Sequence, residues 1–271
     1  MSRALVYLAE WRTGVVVGYL LPQCTQNIKK DFLMRKVRPQ DVLTDFIAQV
    51  DNALSHYERI LVALKGTQNE KLDITIMSRN LFYSVFVDFE CFVSDLFVSY
   101  LNRDFSQYQA TFEGVVKKAA KGSKVSPWLI SRINFDIPSH LKLEELADAI
   151  DPLGWNLTFK DSAQMKQKAT DWLVDPYRAK IQALNDEDAN LIDTARSIRN
   201  WIAHQSTGSG IIMNDMLKDI DQGPGTANNE LGSGVKDITN IGFFLKSQNN
   251  GERRVHAYSR RLKEVARNLT V

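Results

Sequence analysis

The chain has 271 residues, of which 44% are hydrophobic and 24% charged, enough apolar matter for a packed core and too much for a disordered chain. Lys and Arg number 34 against 32 Asp and Glu, a formal net charge of +2. No whole-molecule field therefore drives binding to nucleic acid or acidic lipid, and any electrostatic recognition must be local.

At the N-terminus the apolar run 15–21 is preceded by Glu10 and Arg12 and closed by Pro22, well short of a bilayer span. It predicts a strand or buried segment rather than a signal sequence. From 42 to 64, Leu43, Phe46, Ile47, Val50, Leu54, Tyr57, Ile60, Leu61 and Leu64 recur at helical spacing, and Gly66 is a natural stop. A stronger helix is predicted over 73–101, apolar around its whole circumference and therefore the central core helix. Arg79, Asp88, Glu90 and Asp95 interrupt it too often for a membrane span. Along it Asn80, Ser84, Asp88, Cys91, Asp95 and Ser99 follow at steps of three or four, a polar stripe that faces solvent or lines a site. Cys24 and Cys91 predict no disulfide framework, with Cys91 read as a reduced, buried thiol.

Shorter helices are predicted near 106–120 and 141–150, separated by loops at Gly122, Pro127, Pro138, Pro152 and Gly154. Lys117, Lys118, Lys121, Lys124 and Arg132 form a basic stretch with no acid until Asp136. Its plainer reading is a solvated helix end; the functional one is a track for RNA phosphates. A helix over 162–174 breaks at Asp175-Pro176, and a short helical piece follows to 184. Asn185 then opens a clear helix start, with Asp186, Glu187 and Asp188 at the positive end of the dipole. Leu191, Ala195, Ile198 and Ile202 mark its buried face, and the segment 206–210 (STGSG) ends it. The glycine-rich stretch 223–234 reads as a flexible loop, 238–245 as a strand, Asn250-Gly251 as a turn, and 253–269 as a basic amphipathic helix.

Chemistry concentrates on the helix that opens at Asn185. Arg196, Asn200 and His204 are four apart and advance about 40° per step, so they share one face, and Arg199 borders it. A guanidinium pairs with phosphate, an amide both donates and accepts, and an imidazole moves protons near neutral pH, which are the groups RNA transesterification uses. Cations in a helix's last turns are also favoured by the macrodipole alone, so residue types do not decide between the readings. There is no glycine-rich phosphate loop, no HExxH, no paired cysteines and no nucleophile elbow, so no metal or cofactor is expected.

The order Arg199-Asn200-Trp201-Ile202-Ala203-His204 resembles the Arg-polar-x3-His signature of the HEPN superfamily, and RNWIAHQS is similar to the endings found in toxin and antiphage members. The resemblance spans roughly residues 70 to 207. It implies a mainly α, HEPN-like helical bundle at 70–210 with an internal insertion at about 105–160. The bundle would be preceded by a helical extension at 1–69 and followed by a flexible loop and basic helix at 211–271, with a small strand element near the termini. It also implies a metal-independent endoribonuclease in a cytoplasmic toxin–antitoxin or antiviral defence setting. His204 would be the acid/base group, Arg199 would hold the scissile phosphate and Asn200 would assist, with Arg196 and either Asp88 or Glu90 in support. The expected partners are RNA, a second copy of the chain and an antitoxin or regulatory protein, with no membrane. Cleavage by a ribose 2′-hydroxyl needs one proton taken and one given, and of His56, His140, His204 and His256 only His204 sits among phosphate-binding groups. A two-fold dimer would bring two histidines and two arginines to one cleft. The rival readings are a non-catalytic HEPN-like binding or scaffold module, and a helical interaction protein in which the motif is accidental.

Overall fold

The structure is a computed structural model that describes residues 37–122, 126–135, 141–150, 157–219, 231–232 and 236–271. In chain order the described helices are α1 (Pro39–Leu64), α2 (Glu70–Arg103), α3 (Ser106–Lys121), α4 (Pro127–Ile130), α5 (Leu143–Ile150), α6 (Ser162–Trp172), α7 (Tyr177–Gln182), α8 (Asp186–His204), α9 (Thr207–Asp219), α10 (Ile241–Lys246) and α11 (Arg254–Leu269). One antiparallel ribbon, β1 (Gln248–Asn249) with β2 (Glu252–Arg253), is the sheet among them. The chain is mainly α, as its periodicity predicts.

The apolar circumference of α2 explains its place. With phenylalanines at 82, 86, 89, 92 and 97 all buried, it has no face to give to solvent along its middle and must be surrounded. Helices α1, α5, α8, α10 and α11 pack around it. Phe46 of α1 stacks on Phe92 at 5.0 Å, and Tyr258 of α11 meets Phe82 edge-on at 5.2 Å. The Tyr100 hydroxyl donates to the Leu269 carbonyl at 2.7 Å, which pins the end of α11 to α2. Each such buried phenylalanine contributes about 1.5–3 kcal/mol of transfer free energy. The core is continuous from Val37 to Leu269, so α1 and α11 share it with α2 and α8. No helix among the described residues is long and apolar enough to cross a membrane.

The polar stripe on α2 dives from solvent into this core. Asn80 and Ser84 are exposed, Asp88, Cys91 and Asp95 are half-buried, and Ser99 is buried. Burial pushes the Asp95 carboxyl up to about 7, and Asp45 on α1 adds to the shift. Cys91 carries no free thiol, which corrects the reduced cysteine predicted there. Cys24 and the N-terminal segment 15–21 lie outside the described residues.

One local expectation fails and a second holds with an addition, each for an identifiable reason. The segment 238–245 is not a strand: Asn240 accepts the Phe243 amide at 3.0 Å as an N-cap, and the turn of α10 follows. Gly242 lets that turn lie directly on α2, where a β-carbon would meet the Thr75 carbonyl oxygen at 2.4 Å. The segment 206–210 does not simply end a helix. α8 stops at His204 with Gln205 in the left-handed region at φ 47°, and Ser206 at once caps α9 by accepting the Ser209 amide at 3.2 Å. The turn at Asn250-Gly251 is as predicted, with both residues at positive φ between the two short strands. Of the glycine-rich stretch 223–234, only Leu231 and Gly232 fall among the described residues.

Candidate active site

Helix α8 is placed by its two ends and its apolar stripe. Asn185 accepts the Asp188 amide at 2.7 Å, the cap anticipated from the sequence. The acidic first turn is then clamped from α11, where Arg261 donates to Glu187 at 2.8 Å and to Asp188 at 3.1 Å. Leu191, Ala195 and Ile198 are buried toward the core while Ile202 is half-buried. α8 thus lies along α2 with its polar residues on the flank facing Glu90.

Glu90 gathers the two arginines. Its carboxylate receives Arg199 at 2.6 Å and stands 3.6 Å from Arg196. The Glu90 side chain is only 12% exposed, against 17% for Arg196 and 26% for Arg199, so the pairing is sheltered and less screened than a surface ion pair. Arg196 also donates to the Phe159 carbonyl, which ties the segment before α6 to α8. Burial lowers the Arg196 guanidinium from its ordinary value, opposed by Glu90 and Asp193. Arg199 donates a second hydrogen bond to the Asn200 side-chain oxygen at 2.9 Å, so guanidinium and amide form one unit. Each terminal nitrogen of Arg199 carries two hydrogens and spends one on these bonds, which leaves a donor on each for a phosphate oxygen.

His204 stands apart from this cluster. It is exposed at the last residue of α8, one turn beyond Asn200, and its imidazole makes no hydrogen bond among the described residues. The structure therefore brings together Glu90, Arg196, Arg199 and Asn200 and leaves His204 open to solvent at the helix end. Of the two acids considered in support, Glu90 touches the arginines. Asp88 pairs with neither, and burial alone raises it to about 6. The cleft between Glu90, Arg196 and Phe159 has a volume of about 10 Å³, room for a water molecule at most.

The basic stretch divides in three. Lys117 is engaged with Glu113 at 3.4 Å, Lys118 and Lys121 are exposed on α3, and Lys124 lies outside the described residues. Sequence reading missed their neighbours. Phe112 and Val115 stand at three-residue steps before Lys118 and Lys121, forming one exposed ridge, and Trp128 of α4 is 64% exposed with Arg132 at 5.2 Å from its ring. The basic character of α11, by contrast, is largely spent internally. Arg260 pairs with Glu252 and Glu264, Arg261 with Glu187, Asp188 and Glu264, and Lys263 with Asp51.

Beside the end of α8 lies a wider cavity of about 300 Å³ against the first half of α2 and the start of α10, with Arg79 and Trp201 in its lining. Arg79 appeared in the sequence only as a charge interrupting an apolar helix. No group of three His, Cys, Asp or Glu side chains is arranged to hold a metal ion among the described residues. No protein-family model matches the chain, and neither a curated protein nor a solved structure shows significant similarity to it.

Proposed function

We propose that the chain is a metal-independent endoribonuclease of HEPN type that cleaves RNA at a site shared by two copies of α8. The observation that carries this reading is the Arg199 guanidinium, paired with Glu90 at 2.6 Å with one donor left on each terminal nitrogen, on the same helix whose final residue is an exposed imidazole. Arg199 with Asn200 receives the scissile phosphate. One His204 removes the proton from the ribose 2′-hydroxyl, the 2′-oxygen bonds to phosphorus, and the bond to the 5′-oxygen breaks. The His204 of a second copy returns a proton to that leaving oxygen, giving a 2′,3′-cyclic phosphate and a 5′-hydroxyl. Apolar side chains near this end of the molecule favour a second copy there. Leu72 is 59% exposed, Phe243 60%, and Ile211 and Ile212 on α9 are 57% and 60% exposed. A role in toxin–antitoxin or antiphage defence, with a restraining protein partner, belongs to the same proposal.

A second reading, a binding or scaffold module without turnover, draws on the same ion pair. A guanidinium held at 2.6 Å by a sheltered carboxylate also serves as plain structural glue between α2 and α8. The two readings part on one experiment. Purified chain incubated with single-stranded RNA in EDTA is expected to yield cyclic phosphate ends, and His204→Ala is expected to abolish them while leaving the fold intact by circular dichroism. Cutting that needs a metal ion, or that persists in His204→Ala, refutes the proposed mechanism; a folded wild type that cuts no RNA favours the scaffold.

A further inference from the structure

Arg79 is the charged residue in the lining of the 300 Å³ cavity, and no carboxylate shares that lining. Its Nε is buried without a hydrogen-bond partner, and its guanidinium forms no ion pair among the described residues. Arg196, Arg199 and Arg261, which are comparably sheltered, each have an acid within 4 Å. A half-buried cation without a counter-charge is unfavourable unless something else supplies one, and here a cavity is what faces it.

The remaining walls define the rest of the ligand. Trp201 contributes aromatic surface to the lining, and its ring is held by α9, where Gly210 approaches it so closely that a β-carbon there would lie 3.1 Å from the ring. Ile76 and Ile241 add apolar surface. Asn240 spends its side-chain oxygen on capping α10 and keeps its NH2, while Gln205, exposed at the left-handed position after α8, brings a second amide. A guanidinium for an anion, an indole face for a planar ring and two amides for ring-edge hydrogen bonds are what a nucleotide requires. The volume suits a single nucleotide rather than a longer segment.

We infer that this cavity binds one nucleoside phosphate, with its phosphate on Arg79 and its base against Trp201. Resting on the proposed function, the nucleotide is the one flanking the cut, because Gln205 of the cavity directly follows His204.

Calorimetric titration of the full chain tests both parts, using adenosine monophosphate, adenosine, inorganic phosphate and an uncleavable 2′-O-methyl RNA octamer as probes. The monophosphate is expected to bind, with adenosine and phosphate each markedly weaker. Arg79→Met is expected to lower monophosphate affinity by roughly tenfold to a hundredfold, the loss of charge-assisted hydrogen bonds, with partial recovery in Arg79→Lys. Trp201→Leu should weaken adenosine binding and leave phosphate binding unchanged, so the inference remains testable even if Arg79→Met fails to fold. Equal monophosphate affinity in wild type and folded Arg79→Met overturns it, as does no monophosphate binding to the wild type. The octamer is expected to compete with the monophosphate; failure to compete refutes the flanking-nucleotide assignment and leaves a pocket for free nucleotides. RNA cutting without monophosphate binding sinks this inference alone, whereas Arg79-dependent binding without RNA cutting sinks the proposed ribonuclease and the flanking-nucleotide assignment and leaves the nucleotide pocket standing.

Discussion

Replacing Glu90 by Gln removes one negative charge from between two arginines and keeps the side chain's shape. Breaking a fully buried ion pair from one side costs about 3–5 kcal/mol, because the abandoned charge stays out of water. Here the arginines retain 17% and 26% of their exposure, and the glutamine oxygen still accepts one hydrogen bond, so a loss of about 2 kcal/mol is expected. The geometry further predicts how that loss divides. Arg199 approaches at 2.6 Å and Arg196 at 3.6 Å with a second acceptor on the Phe159 carbonyl, so Glu90 should couple more strongly to Arg199. Urea unfolding of Glu90→Gln, Arg199→Met, Arg196→Met and the two double mutants gives both coupling energies. Coupling to Arg199 below about 0.5 kcal/mol, the range of an exposed pair, would refute the claim that Glu90 orients this guanidinium.

Three other perturbations have expected outcomes. The Asp95 carboxyl is raised to about 7 from an ordinary 3.8, chiefly by burial. The folded chain therefore holds a proton that the unfolded chain has lost, and stability falls as pH rises from about 4 through about 7, by at most on the order of 4 kcal/mol. Asp95→Asn should flatten the urea midpoint between pH 5 and pH 8 and raise it at pH 8; an undiminished slope assigns the effect elsewhere. Gly242→Ala forces a β-carbon onto the Thr75 carbonyl and should cost about 1–3 kcal/mol by prising α10 from α2, so an unchanged melting temperature contradicts that close approach. Removing Lys118 and Lys121 together should weaken RNA binding and reduce the slope of log affinity against log salt by about 0.7 per lysine, with cleavage products unchanged. An unaltered slope returns these lysines to ordinary solvated surface.

Short-range physics was readable in the residues, and the long helices show why. A 3.6-residue apolar period predicts α1 and α11 because one face of each is buried, and the Asn185 cap of α8 is a bond between residues three apart. α10 defeated the same method. In a six-residue element with Ile241, Phe243, Phe244 and Leu245 nearly in succession, the run is too short for periodicity to separate strand from helix, and what decides is the Asn240 cap together with a glycine seated on a residue 167 positions earlier. The Ser-Gly run after His204 looks like a terminator by composition, yet Ser206 uses its side-chain oxygen to begin α9. Glu90 and Asp88 were indistinguishable for a related reason. Two residues apart on α2, they point about 200° apart, and only the docking of α8 selects the one that meets Arg199.

Charge is where local reading fails most, since a sequence shows cations without their partners. Arg260, Arg261 and Lys263 look like a basic face along the chain, but the fold brings Asp51, Glu187, Asp188 and Glu252 to them, beside the local pairs with Glu264 on the same helix. What remains available for an external anion is therefore found by subtraction. Arg196 is held by Glu90 and a backbone carbonyl, while Arg199 is held by Glu90 and Asn200 and keeps two terminal donors. Lys118 and Lys121 are exposed, and Arg79 is half-buried beside a cavity whose lining holds no acid among the described residues. Arg79 drew least notice in the sequence because a single charge on a greasy helix reads as an interruption. In three dimensions it is a half-buried cation with no ion pair among the described residues. Unlike Arg254, whose terminal nitrogens donate to Ser247 and to the Gly232 carbonyl, it lines a cavity, which makes it the residue from which a ligand can be argued.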